Sequence, residues 1–260
     1  VLASQAVGLP TPGNFRIETV PLPDLTDGQV LTRTLYCSAD PGTRSRLSAG
    51  ASYAAPLRIG DPIDGFAVGE VIESANSRFA PGDIVATGGG WAEHSLFAGR
   101  GYIQKIPHTR LPLSYWIGVL GVPGMTAWFG LKRVANLVSG ERILITSAAG
   151  PVGATAAQIA RAMGAARIVG TASGSEKAEW LKANAGLDAV VDYKATANLA
   201  ADLTAASPDG YDVLFDNVGN AMIDLVIPML RPRGRIVVSG QLADYNALSS
   251  QASGLHNTSY

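Results

Sequence analysis

The chain has 260 residues, of which 47% are hydrophobic and 16% are charged, and its formal net charge is −1. This composition is typical of a globular protein with one large domain or two smaller ones. The nearly neutral balance argues against a nucleic-acid or anionic membrane partner, and the lack of any apolar run near 18 residues predicts no membrane span.

The first half of the chain is rich in proline, glycine and short runs of β-branched residues. The strand candidates are QVLTRTLYCS (29–38), FAVGEVIES (66–74) and GDIVATG (82–88). Pro-Gly pairs at 12–13, 41–42 and 81–82 each predict a turn. We therefore predict an irregular, mostly β first domain over residues 1–117, with a partly closed barrel as one form that it can take.

Strands and helices alternate over residues 118–260, the predicted second domain. The strand candidates are 142–147, 166–171, 188–192, 211–216 and 234–239, and the helix candidates are 153–163, 175–184 and 220–230. Apolar strands between helices predict an α/β fold with a doubly wound parallel sheet. Ser175 is the expected N-cap of the second helix, and Gly164 is the expected end of the first. Such a sheet usually has six strands, so we expect that the last strand is absent or that the chain is truncated.

A glycine-containing turn, SAAGPVG (147–153), joins the first strand of this domain to the first helix. Gly150 and Gly153 occupy the second and third glycine positions of the fingerprint G-x-G-x-x-G, and Ala148 replaces the first glycine. The second glycine lets the backbone approach a pyrophosphate, and the third lets the helix pack close to the strand. The alternative is a tight turn of small residues chosen for packing, but the surrounding βαβ pattern favours a dinucleotide site.

The end of the second strand indicates which dinucleotide is bound. An NAD site carries Asp or Glu there, which accepts a hydrogen bond from the ribose 2′-hydroxyl. Residues 171–174 (TASG) contain no acid, and Lys177 follows in the first turn of the next helix, where a cation can meet a 2′-phosphate. We assign Glu176 to the helix N-terminus, and Tyr193 adds a hydroxyl just past the third strand. Lys177 alone would be read as a solvated lysine, but the missing acid favours NADP(H).

The chain has too few residues that can bind zinc to be a zinc-dependent alcohol dehydrogenase of two domains. A catalytic zinc takes three protein ligands, and the chain offers Cys37 and three histidines, with Phe66 standing where a second ligand is expected. We therefore expect no metal. The single cysteine also excludes an internal disulfide and favours a reducing compartment. Because the first residues lack the regions of a signal peptide, we predict a cytoplasmic protein.

Without a metal, the reduction of a C=O or C=C bond needs another group that polarises the substrate. A neutral tyrosine can do this by donating a hydrogen bond to a carbonyl or enolate oxygen. Tyr53 follows a flexible-looking segment of the first domain, and Tyr245 comes just after the last predicted strand. Asn217 follows the fourth strand, and ligands of open α/β sheets bind at these strand ends. A structural ring at the base of a loop is an equally good explanation of each tyrosine.

Seven segments carry a more specific pattern: SADPGTRSRL (38–47), SYAAPLRIGDPI (52–63), GVLGVPGMTAWFGL (118–131), AAGPVGATAAQIA (148–160), SGSEKAEWL (173–181), FDNVGNAMIDLVIPML (215–230) and GQLADYNA (240–247). They are spread over residues 38–247, so that the match extends over nearly the whole chain, and they resemble the medium-chain dehydrogenase/reductase superfamily. Within it, they are similar to the zinc-free group of leukotriene B4 dehydrogenases, prostaglandin reductases and bacterial curcumin or alkenal reductases. This family often has D-P-Y-M-R in a loop near the active site, where the chain has Gly42 and Thr43 after D-P.

The resemblance implies a GroES-like β domain followed by a Rossmann domain, and NADPH-dependent reduction of the C=C bond of α,β-unsaturated ketones or aldehydes. It implies a homodimer when the protein has its full length. The implied cofactor-binding residues are Gly150, Pro151, Val152, Gly153, Lys177, Tyr193, Asn217, Ser239, Gly240, Gln241 and Tyr245, and the implied catalytic residues are Tyr53 and Tyr245. Two alternatives stay open: an NADPH quinone reductase and a non-catalytic NADPH-binding protein.

Overall fold

Two structural units divide the chain, Val1–Gly118 and Val119–Tyr260. The computed structural model describes residues 1–48, 55–98, 101–243 and 245–246. Tyr53 lies outside these ranges. None of the helices in the described ranges has the length and apolar character that crossing a bilayer requires.

The first unit is built on an antiparallel sheet, which confirms the mostly β prediction. Its strands are β1 (Val30–Cys37), β2 (Ala67–Ser74), β3 (Ile84–Thr87), β4 (His94–Phe97) and β5 (Ile103–Lys105). They lie in the order β4-β1-β2-β3-β5, and two register shifts in β1 interrupt its pairing with β2. Such irregularities bend a strand and increase its twist. One face packs around buried side chains that include Val30, Val71 and Val85.

The Pro-Gly pair at 41–42 does not form the predicted turn. It begins a short helix, α1 (Pro41–Arg46), in which Pro41 occupies the first turn and Asp40 precedes it as N-cap. Proline is favoured at this position because its φ suits the helix and its missing N–H is not needed there. Strands β4 and β5 were not predicted, since runs of three or four residues carry too little periodicity to detect.

The second unit is a five-stranded parallel sheet with helices between its strands. The strands are β6 (Arg142–Ile145), β7 (Arg167–Ala172), β8 (Ala189–Asp192), β9 (Tyr211–Asp216) and β10 (Leu230–Val238), and the helices are α2 (Val122–Phe129), α3 (Pro151–Ala162), α4 (Ser175–Asn184), α5 (Leu199–Ala206) and α6 (Asn220–Val226). The strand order is β10-β9-β6-β7-β8, and all four pairings are parallel. This order confirms the doubly wound fold, with its topological switch point between β6 and β9.

Several helix ends differ from the sequence predictions. Helix α3 begins two residues early, at Pro151. The N-cap of α4 is Gly174 rather than Ser175, because its positive φ of 86° suits glycine. Helix α6 ends at Val226 and continues as a 3₁₀ turn, since Pro228 lacks the N–H that an α-helix would need. Gly164 ends α3 with a φ of 85°, as predicted.

The sheet of the second unit is buried on both faces, as its apolar strands predicted. Ile143 and Ile145 of β6 pack with Phe215 on the face covered by α3. Leu144 points to the opposite face, where Leu214 and Tyr211 lie. All of these side chains have no more than a trace of exposed surface. This rigid layer positions the loops that follow its strands.

The buried phenol of Tyr211 makes the stability of the second unit sensitive to alkaline pH. Its hydroxyl donates to the Leu203 carbonyl at 2.7 Å, and burial raises the pKa of Tyr211 well above its ordinary value of 10. A raised pKa adds stability that is present below pH 10 and lost as the pH rises, at up to about 1.4 kcal/mol per pH unit.

We expect Tyr211→Phe to lower the unfolding free energy by about 1 kcal/mol at neutral pH, because the Leu203 carbonyl loses its donor. This deficit should shrink above pH 10. There the phenol ionises in the unfolded chain but not in the folded one, which destabilises the unmodified protein and leaves Tyr211→Phe unaffected. Urea unfolding of both proteins between pH 8 and 11 measures it. A deficit that stays constant over this range would contradict the expectation.

Candidate active site

The candidate site lies at the carboxyl edge of the parallel sheet, where ligands of doubly wound folds bind beside the switch point. Five loops begin at this edge, one after each of β6 to β10. Apart from Tyr53, every residue proposed from the sequence belongs to this edge or to the helices that start there. The loops differ in what they offer a ligand.

The turn after β6 is held by β7. The amides of Ser147 and Ala148 donate to the hydroxyl and carbonyl of Thr171, at 3.2 and 2.9 Å respectively. Ser147, and not Ala148, has a positive φ, of 49°. Position 148 therefore does not require glycine, which explains why the incomplete fingerprint still forms the turn. The left-handed backbone of Ser147 was not found from the sequence.

Close packing makes Gly153 necessary. A Cβ atom built on Gly153 would stand 2.6 Å from the Ser147 carbonyl oxygen and 2.7 Å from the Ala148 Cα. Gly150 is less restricted, because its Cβ would stand 3.3 Å from the same oxygen. Gly153 thus has the packing role that the sequence predicted, and the approach of a pyrophosphate at Gly150 stays a prediction.

The start of α3 suits an anion. Gly150 is its N-cap and Pro151 its first residue, and no side chain of the described residues caps this end. The first-turn amides, including those of Val152 and Gly153, therefore remain available, and the helix dipole adds positive potential there. Backbone amides around a glycine cradle fit the pyrophosphate of a dinucleotide.

The loops after β7 and β8 meet beside Lys177. Exposed Lys177 lies in the first turn of α4, and half-exposed Tyr193 follows β8. The Tyr193 amide donates to the Ala172 carbonyl at 3.2 Å. The carboxylate of Asp192 accepts hydrogen bonds from the amides of Lys194, Gly174 and Ala195, at 3.0, 2.8 and 3.3 Å.

Asp192 was not found from the sequence, although it is an acid close to the end of β7. The amides of Lys194 and Gly174 lower the pKa of its carboxyl group, so the group is ionised at neutral pH. Its oxygens are engaged by three backbone donors. Asp192 therefore serves to join two loops, and the tip of β7 itself has no acid, as predicted.

The loops after β9 and β10 are bonded to each other. The amides of Ser239 and Gly240 donate to the Asp216 carbonyl at 2.7 and 3.3 Å. The amide of Leu242 donates to the carbonyl of buried Asn217 at 3.2 Å. The structure thus brings Asn217 together with Ser239 and Gly240. Gln241 is exposed in the same loop, and Tyr245 is half-buried further along the chain.

Asp216 is fully buried at the end of β9. Burial raises the pKa of this carboxyl group, against the opposing hydrogen bonds from the Thr146 hydroxyl and from the amides of Gly219 and Val218. From the sequence, Asp216 is visible only as an acid that precedes Asn217. No sequence pattern indicates that Thr146 bonds to it.

The described residues contain no group of three or more His, Cys, Asp and Glu side chains arranged to hold a metal ion. Cys37 is exposed on β1, and His94 lies on β4. His256 is outside the described ranges.

Comparison with known proteins places this chain in a family. Residues 1–105 match the family described as "N-terminal domain of oxidoreductase", and residues 151–260 match the family described as "Zinc-binding dehydrogenase". Prostaglandin reductase 1 of Mus musculus is 41% identical over 242 residues, which are 92% of this chain and 70% of that protein. The 2-alkenal reductase (NADP(+)-dependent) of Nicotiana tabacum is 36% identical in an alignment that covers 99% of this chain and 75% of that protein.

A solved structure is similar over the whole chain. The crystal structure of CurA from Vibrio vulnificus in complex with NADPH superposes with a TM-score of 0.90 at 35% identity, covering 100% of this chain and 76% of that one. The chain belongs to the medium-chain dehydrogenase/reductase superfamily, in the zinc-free group of prostaglandin, curcumin and 2-alkenal reductases. The antiparallel sheet and the parallel sheet are the GroES-like and Rossmann folds that the resemblance implied.

Proposed function

We propose that the protein reduces the C=C bond of α,β-unsaturated ketones or aldehydes with NADPH. The observation that carries this proposal is the carboxyl edge of the Rossmann sheet, where an uncapped helix N-terminus, an acid-free β7 tip and Lys177 line successive loops. Such an edge suits a dinucleotide with a 2′-phosphate. The names of the relatives, a prostaglandin reductase and an NADP-dependent 2-alkenal reductase, support the reaction.

Each loop then has a part in binding. The Gly150–Gly153 turn and the start of α3 hold the pyrophosphate through backbone amides, with Pro151 giving up an N–H that is not needed. Lys177 pairs with the 2′-phosphate by charge, and the Tyr193 hydroxyl donates to it. Asn217, Ser239, Gly240 and Gln241 hold the nicotinamide half.

When bound, NADPH supplies a hydride, which adds to the β-carbon of the unsaturated substrate. Negative charge then moves to the carbonyl oxygen, and Tyr245 donates a hydrogen bond that stabilises it there. Tyr53, which lies outside the described residues, is the second proposed donor. A proton from water is finally delivered to the α-carbon, which completes the saturated ketone or aldehyde.

The test is to give the purified protein NADPH deuterated at the nicotinamide C4 with a panel of enones and enals. We expect NADPH oxidation and a saturated product with deuterium at the β-carbon. Parallel reactions with a quinone distinguish a quinone reductase. Tight NADPH binding in calorimetry without any turnover would instead identify a non-catalytic NADPH-binding protein and overturn the proposal.

We further propose that the protein is a cytoplasmic homodimer without a nucleic-acid partner. Strand β10 is at the edge of the described parallel sheet, and an open edge is a surface for pairing with another strand. The single cysteine suits a reducing compartment, and the net charge of −1 disfavours nucleic acid. Light scattering that shows a monomer, or recovery of the protein outside the cytoplasmic fraction, would contradict these assignments.

A further inference from the structure

We propose that Thr146 and Asp216 are positioning residues, which hold Asn217 and the loop after β10 in the geometry that hydride transfer requires. This inference rests on the proposed function. A doubly wound fold binds the two halves of a dinucleotide on opposite sides of its switch point. Lys177 lies on the β7 side, so the loops after β9 and β10 receive the nicotinamide half.

The side chain of Thr146 joins the loop after β6 to the loop after β9. Its Oγ1 accepts a hydrogen bond from the Asn217 amide at 2.8 Å and donates to Asp216 Oδ1 at 2.7 Å. A backbone amide can only donate, so Oγ1 accepts from Asn217, and the one proton of the hydroxyl is directed to Asp216. The Asn217 side chain also donates from Nδ2 to the Thr146 carbonyl at 2.8 Å. The backbone amide and the side-chain amide of Asn217 therefore both bond to Thr146, across the switch point.

Asp216 extends this network to two further segments. Its Oδ2 accepts from the Gly219 amide at 2.8 Å, and its carbonyl accepts from Ser239 and Gly240. The fit is tight, because a Cβ built on Gly240 would stand 3.1 Å from the Asn217 carbonyl oxygen. A shift of Asp216 would consequently move the loops after β9 and β10 together.

Thr146 and Asp216 are both fully buried. Burying a carboxyl group costs free energy unless its oxygens are hydrogen-bonded, and an apolar pair of similar size avoids this cost. We therefore infer that Thr146 and Asp216 contribute the placement of Asn217, through bonds of fixed direction, rather than added stability. Among the residues that the structure describes, no bond of this network reaches the loops after β7 and β8, so the adenosine half should not depend on it.

The test compares Thr146→Val, which keeps the shape and removes both Oγ1 hydrogen bonds, with Thr146→Ser, which keeps the hydroxyl. We expect Thr146→Val to lower kcat about 100-fold, as a small misplacement of reacting groups does. Thr146→Ser should recover most of this loss. Affinity for 2′,5′-ADP, which occupies only the adenosine half of the site, should stay within about twofold in both variants, because the network does not contact the loops after β7 and β8. Thr204→Val, at an exposed hydroxyl on α5, is the matched control and should not change kcat.

An unchanged kcat in Thr146→Val would overturn the proposal, and so would an equal loss in kcat and in 2′,5′-ADP affinity. If Thr146→Val does not fold, Asp216→Asn replaces it, because its amide cannot accept the Thr146 proton and also bond to Gly219 as the carboxylate does. Calorimetry of the Thr146 variants with NADP⁺ tests the positioning role separately from the proposed reductase activity. An inactive wild-type protein would defeat the proposed function, whereas the positioning role would still require weaker NADP⁺ binding with unchanged 2′,5′-ADP binding.

Discussion

Gly153→Ala is expected to lower the unfolding free energy by about 2–3 kcal/mol, which is the upper part of the range of about 1–3 kcal/mol for forcing extra volume into a packed site. The new methyl group would stand 2.6 Å from the Ser147 carbonyl oxygen and 2.7 Å from the Ala148 Cα. These are backbone atoms, and the amides of Ser147 and Ala148 are bonded to Thr171. The turn therefore cannot yield without breaking its contact with β7. Urea unfolding measures the loss, and calorimetry should also show NADPH binding severely weakened.

Gly150→Ala is the matched control on the same turn. Its methyl group would stand 3.3 Å from the Ser147 oxygen, and the φ of −73° at Gly150 suits alanine. We expect the unfolding free energy to change by less than about 1 kcal/mol. NADPH affinity should still fall about tenfold, since the methyl group occupies space where the pyrophosphate approaches. Equal stability losses in the two variants would contradict this division of roles.

Lys177→Ala is expected to raise the KM for NADPH about 30-fold while leaving the KM for NADH nearly unchanged. A charge-assisted hydrogen bond is worth about 1.5–3 kcal/mol, and each 1.4 kcal/mol corresponds to about tenfold in affinity. NADH has no 2′-phosphate, so it loses nothing at this position. Steady-state kinetics with each cofactor and one enone provide the measurement.

Lys182→Ala is the control for Lys177→Ala, because Lys182 is an exposed lysine in the last turn of the same helix, α4. It should leave both KM values unchanged. A rise of the same size for NADPH and NADH in Lys177→Ala would remove the role in 2′-phosphate binding. So would equal effects of the two lysine substitutions, which would point to the net charge of the helix instead.

Features that depend on neighbours in the chain were predicted well from the sequence. The helix at 175–184 and the strand at 211–216 have the predicted bounds. The doubly wound class followed from the alternation of apolar strands and helices, and the sheet confirms it. Helix α5 was missed, although Asn198 caps it through a bond to the Ala201 amide. A helix of eight residues is stabilised by its packing, and that is not visible in a local pattern.

The sequence by itself determined the turn after β6, the acid-free tip of β7 and the class of cofactor, because these depend on residue types within one strand, turn and helix. Only the tertiary structure decided that Ser147 and not Ala148 takes the left-handed backbone, and that Asp192 joins the loops after β7 and β8. It also decided that Thr146 meets Asp216, 70 residues away in the chain. Hydrogen bonds between such distant residues depend on the order of strands in the sheet, and that order arises only when the core is packed.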